Sequence, residues 1–150
     1  MALPDIRLLV PHAGPMVLLD RVVSADEDSL CAEVVIRSDT LFCGPDGVGA
    51  WIGLEYMAQA IGAWAGYKAQ LRGEPVKLGF LLGTRRYECR RPIFVLGSVL
   101  RVHVQRVFQN EDGLASFECF IDNEEGRIAS APVTVFQPHN VNDFIRGSSE

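Results

Sequence analysis

The chain is short of the residues that metal and thiol chemistry need. Its three histidines (His12, His103, His139) and four cysteines (Cys31, Cys43, Cys89, Cys119) are scattered, and no CxxC occurs. That scatter argues against a zinc site, and free thiols in a reducing cytoplasm are expected. Positive charge is scarce too. With 14 Lys and Arg against 19 Asp and Glu, the net charge is -5, which argues against nucleic acid as the main partner. The opening MALPDIRLLVPHAGP lacks a basic stretch, a long apolar core and a small-residue cleavage site. It does not read as a signal peptide. Nor is there an uninterrupted apolar run long enough for a membrane span. The most apolar segment is broken by Glu55, Gln59 and Lys68 and reads as a core helix.

What is present fits one domain over residues 1–150, with a polar, loose tail from 138 onward. The composition, 48% hydrophobic and 22% charged, is that of an ordinary globular protein. Met16 to Ser24 reads as a strand, and Leu30 to Ser38 as its hairpin partner across an acidic turn. A Gly/Pro-rich turn, Gly44 to Gly49, leads into a helix from Ala50 to Leu71, which Arg72-Gly73-Glu74-Pro75 stops. Leu78 to Leu82, Tyr87 to Arg90, Val99 to Phe108, Leu114 to Ile121 and Ile128 to Phe136 read as strands. NEDG at Asn110 and DNEEG at Asp122 supply hairpin turns between the last three. This pattern predicts an α+β fold, an antiparallel sheet of about five to six strands wrapped around one long helix. Ala58, Ala60, Gly62, Ala63, Ala65 and Gly66 give that helix a small-residue surface suited to a close neighbour such as the sheet.

Four segments carry a family resemblance. LVPHAGPMVLLDRV (Leu9 to Val22) resembles LPHxxPxLLxDRV. LFCGPDGVGAWIGLEYMAQ (Leu41 to Gln59) resembles HFPG, nine residues, then LEAMAQ. GFLLG (Gly79 to Gly83) and RRPIFVLGSVLRV (Arg90 to Val102) resemble the segments that follow the helix. In this order and spacing they resemble the hotdog-fold 3-hydroxyacyl-[acyl-carrier-protein] dehydratases of the fatty-acid-synthesis type. GxEYMAQ and GFLLGTRxY look most like the divergent branch attached to aryl-polyene-type pigment synthesis.

The resemblance implies a catalytic His in the turn and an acid fourteen residues later on the helix. Here the acid is Glu55 and the His position is Leu41. Dehydration needs a base for the Cα proton, an acid for the leaving Cβ hydroxyl and donors for the thioester oxygen. Glu55, among Trp51, Leu54 and Met57, suits the acid, with Gln59 at i+4 to orient it. Backbone N–H groups at Gly44, Ala50 and Trp51 suit the thioester oxygen. Equally, Glu55 could be a buried acid that Gln59 or backbone merely satisfies. Among substitute groups, His12 is the candidate base, while His103 falls on the polar face of its strand and His139 in the tail. Cys43 reads as a small buried thiol and Asp46 as a turn former.

Arg85, Arg86, Arg90 and Arg91 form a basic cluster in an acidic chain. It is either a solvated loop or, as the resemblance implies, a docking surface for an acyl carrier protein and its phosphopantetheine phosphate. No cofactor is expected beyond that carrier-borne arm. Family members are dimers whose sites take His from one subunit and acid from the other. The chain is therefore expected as a homodimer or as a heterodimer with a His-bearing hotdog subunit. A hotdog thioesterase and a non-catalytic acyl-binding or scaffolding subunit remain open alternatives.

Overall fold

Sheet construction starts at a hairpin held by one aspartate. In the computed structural model, which describes residues 5–9, 16–74, 80–84 and 86–136, β1 (Arg21–Ala25) pairs antiparallel with β2 (Ser29–Val35). Asp26 Oδ1 accepts from the N–H groups of Asp28 and Ser29 and from the Ser29 hydroxyl. The expected strand start at Met16 is corrected to Arg21. The polar groups of residues 16 and 18 are taken instead by a side chain, since Gln59 Nε2 donates to Met16 O and Gln59 Oε1 accepts from Leu18 N–H.

Three long strands follow the helix: β7 (Val99–Gln109), β8 (Leu114–Asn123) and β9 (Gly126–Phe136). Asn110 Oδ1 accepts from the N–H groups of Asp112 and Leu114, and Asn123 Oδ1 from that of Glu125, so both expected hairpin turns form. Among the described residues the sheet runs β1-β2-β7-β8-β9-β4, where β4 is Phe80–Gly83, and β5 (Glu88–Cys89) also pairs with β9. Alternation sends Leu100, Val102 and Val104 to the inner face and Arg101, His103 and Gln105 outward. The inner face meets α2 (Gly53–Leu71), where Tyr56, Met57, Ala60, Ile61, Ala63 and Trp64 are buried. Trp64 packs edge-on against Phe117 with ring centroids 5.4 Å apart.

The helix ends where its sequence says it should. Gly73 takes φ +68°, Glu74 N–H donates to Ala69 O and Gly73 N–H to Gln70 O, closing a Schellman motif. Its start differs from expectation: Ala50–Ile52 form a 3-10 turn before the α-helix begins at Gly53. The small-residue surface has two neighbours. Ala60 and Ala63 are buried in the core beneath the sheet, while a Cβ at Gly66 would lie 2.1 Å from Leu9 O, so the N-terminal helix α1 (Ile6–Leu9) crosses at that point. Finally, the Gly44 to Gly49 turn is not all turn. Gly47–Gly49 forms β3, which pairs with β6 (Ile93–Val95) in a small second sheet. The pairing is forty-six positions apart in sequence at Val48↔Phe94, beyond the reach of local pattern.

Candidate functional site

Glu55 lies in the first turn of α2 and is half-buried. One turn further on, Gln59 is fully buried, and its Nε2 donates to Glu55 Oε1 at 3.3 Å. The same amide spans Met16 O at 2.7 Å and Leu18 N–H at 2.8 Å. Gln59 is therefore clamped by the segment after the N-terminal turn, and it holds the carboxylate from a fixed base. The expected apolar wall is only partial: Met57 is buried, but the Trp51 side chain is 73% exposed. Its indole folds back over Gly49, where an added Cβ would sit 2.0 Å from the ring.

The turn before the helix is strained at its tip. Cys43 N–H donates to Thr40 O at 3.0 Å, and Phe42 takes φ +68°, the one non-glycine residue with positive φ among those described. Gly44 closes the next turn through reciprocal bonds with Gly47, at 2.8 and 3.3 Å. Leu41, at the position where the resemblance calls for His, packs against the core and lines an open cleft of about 240 Å³ with Leu18, Asp20, Val35 and Arg37. Cys43 is half-buried rather than buried.

The backbone donors need a correction. Ala50 N–H is not free, because it donates to Pro92 O at 2.9 Å. The Ala50 carbonyl is held as well, accepting from Gly53 N–H and from the Tyr87 hydroxyl at 2.5 Å. Gly44 N–H is taken too, donating to Gly47 O at 2.8 Å, so of the three expected donors Trp51 N–H is left for a thioester oxygen, at a helix start whose first N–H groups have no intrahelical partner. Local spacing gives no signal for Tyr87 and Pro92. An aromatic residue inside the Arg/Glu-rich stretch is the one hint that the sequence offers.

Of the histidines, His12 and His139 lie outside the described residues. His103 is remote from the helix start, on the outer face of β7. Its Nε2 is 3.2 Å from Asp122 Oδ2, and its ring stacks on Phe120 with centroids 4.4 Å apart. It is half-buried rather than solvated as expected, and burial holds its imidazole below the ordinary value despite the pull of Asp122. No imidazole stands beside Glu55 among the described residues.

The basic cluster is partly neutralised. Arg86 pairs with Glu88 at 2.6 Å and Arg91 pairs with Glu125. Arg90 is exposed, and Arg85 lies outside the described residues. Around β3 and β6, Phe42, Trp51, Val95 and Leu96 leave large apolar side chains exposed.

Comparison with known proteins gives the family and the fold. Residues 4–146 match the ApeP-like family, described as ApeP dehydratase. A chain of the dehydratase heterocomplex ApeI:P from Xenorhabdus doucetiae is 31% identical. The match covers 99% of this chain and 100% of that one, with a TM-score of 0.90. A hypothetical thioesterase with coenzyme A from Streptococcus pneumoniae TIGR4 shares the fold at 15% identity, 78% and 84% coverage and TM-score 0.61. Cj0977 from Campylobacter jejuni does so at 12% identity, 90% and 89% coverage and TM-score 0.63. No curated protein matches the sequence. No described helix is long and apolar enough to cross a membrane. A family match over nearly the whole length and a fold match over all of it agree: this chain belongs to the ApeP-like dehydratases and has the hotdog fold.

Proposed function

We propose that this chain is the acid-bearing subunit of a composite dehydratase, acting on 3-hydroxyacyl thioesters carried by an acyl carrier protein. One observation carries the reading: Glu55 is held by a locked Gln59 at the helix start, while Leu41 fills the position where a base is needed. The relative from Xenorhabdus, solved as a heterocomplex, supports a two-chain site. A hotdog partner then brings an imidazole to the space beside Glu55. The exposed apolar residues around β3 and β6 are the surface on which it sits.

The reaction follows from that placement. The partner's imidazole takes the proton from Cα, and the electron pair forms the Cα–Cβ double bond. Glu55 delivers a proton to the leaving Cβ hydroxyl, which departs as water. Trp51 N–H holds the thioester oxygen while charge develops on it. Arg90, with Arg86 and Arg91 beside it, faces the acidic carrier protein, where guanidinium suits both carboxylates and the phosphopantetheine phosphate.

The test is reconstitution. The isolated chain is expected to leave 3-hydroxyacyl carrier protein unchanged. Adding the His-bearing partner should release water and form the enoyl product, and Glu55→Ala should abolish turnover, by about a hundredfold or more. Full activity in the lone chain would overturn the composite site. Full activity of the Glu55→Ala complex would overturn the acid.

A further inference from the structure

The segment that carries the arginines also holds the first peptide of the helix. Pro92 O accepts the Ala50 N–H, and the Tyr87 hydroxyl donates to the Ala50 carbonyl at 2.5 Å. Both flexible sides of Ala50 are thus tied to residues 86–92. The second tie bears on catalysis, because the Ala50 carbonyl and the Trp51 N–H belong to one peptide plane. In a trans peptide they point in opposite directions, and no cis bond occurs among the described residues. Fixing the carbonyl therefore fixes the direction of the N–H.

We infer that Tyr87 is a positioning residue: its hydroxyl anchors the Ala50–Trp51 peptide so that the Trp51 N–H is aimed at the substrate's thioester oxygen. A bond to the carbonyl also polarises the peptide and strengthens the N–H as a donor. A second feature of the fold serves the same contact. A Cβ at Gly53 would lie 2.2 Å from the Tyr87 hydroxyl oxygen, so the helix accepts a poor helix former at its first α-helical position to admit it. Burial pushes the Tyr87 hydroxyl well above the ordinary phenol range, which keeps its proton on and keeps it a donor. Because Arg86, Arg90 and Arg91 flank Tyr87 in the same segment, a carrier protein seated there touches the element that aims the donor.

The kinetic half of this inference rests on the dehydratase reading; the structural half does not. In the complex with the His-bearing partner, Tyr87→Phe should lower kcat about tenfold, less than outright loss of an oxyanion donor. The loss should be equal on 3-hydroxyacyl carrier protein and on a 3-hydroxyacyl N-acetylcysteamine thioester, with KM for the carrier changed less than about twofold. Gly53→Ala should show the same loss, and combining it with Tyr87→Phe should add little, since both remove one contact. Hydrogen exchange at the Ala50 amide, which is bonded to Pro92 O, measured by NMR on the chain itself, should accelerate at least about tenfold in Tyr87→Phe while the α2 amides stay protected.

An unchanged kcat, or a change confined to the carrier KM, would overturn the positioning role. If no wild-type mixture turns over substrate, the dehydratase reading fails. The amide exchange then decides alone, and unchanged exchange at Ala50 overturns the anchor.

Discussion

At the scale of single residues, Gln59 links the site to the fold. Its buried amide makes three hydrogen bonds, to Leu18 N–H, Met16 O and Glu55 Oε1. Replacing it with a residue of similar volume but no polar atoms strands the buried Leu18 N–H as well as releasing the carboxylate. Gln59→Leu is therefore expected to cost about 1–3 kcal/mol, the range for an orphaned buried donor, read by denaturant unfolding of the isolated chain. A loss under about 0.5 kcal/mol would mean that the amide is dispensable to the fold. The pair Glu55 and Gln59 was legible in sequence, since i and i+4 share a helix face and an acid in an apolar stretch stands out. The status of Ala50 was not. Its N–H and carbonyl are claimed by Pro92 and Tyr87, and contacts between such distant positions leave no local periodicity.

At the scale of elements, α2 shows why some boundaries can be read and others cannot. Its end is written locally: Gly73 at φ +68° supplies the left-handed residue that the Schellman closure needs. Its start is set by tertiary contact, with Gly53 kept free of a side chain for Tyr87 and the turn before it held by Pro92. The three-residue strands β3 and β6 escape detection for the same reason, because Gly-Val-Gly has little intrinsic strand preference and pairs only with a distant partner. Gly66 gives a test at this scale. Alanine there improves helix propensity by about 1 kcal/mol, yet its Cβ would meet Leu9 backbone at 2.1 Å. The clash should dominate, since backbone cannot step aside as a side chain can. Gly66→Ala is expected to destabilise by about 1–2 kcal/mol in denaturant unfolding. A net gain in stability would show that α1 is not anchored against α2 at this point.

At the scale of the whole molecule, the two faces of the sheet answer different needs. Inward residues of β2, β7, β8 and β9 close on α2, while the outer face carries a row of alternating charges, Arg21, Glu33, Arg101, Asp122 and Arg127, aligned by register across five strands. Such exposed pairs contribute little stability, about 0–1 kcal/mol each, so they favour a solvated face over an assembly face. The region around β3 and β6 is the opposite. Phe42, held at a strained φ with 54% of its surface exposed, sits near exposed Trp51, Val95 and Leu96. Strain and exposed apolar area at the same place are what a surface completed by another chain looks like. Val95 separates folding from pairing, because it is 54% exposed in the single chain. Val95→Glu should leave the unfolding midpoint of the isolated chain within the small range of a surface substitution, about 0.5 kcal/mol. It should weaken association with the proposed hotdog partner by about a hundredfold, as a charge is desolvated against apolar neighbours. Sedimentation or calorimetric titration of the pair reads the second effect. Undiminished association would place the proposed partner, and its imidazole, on another face.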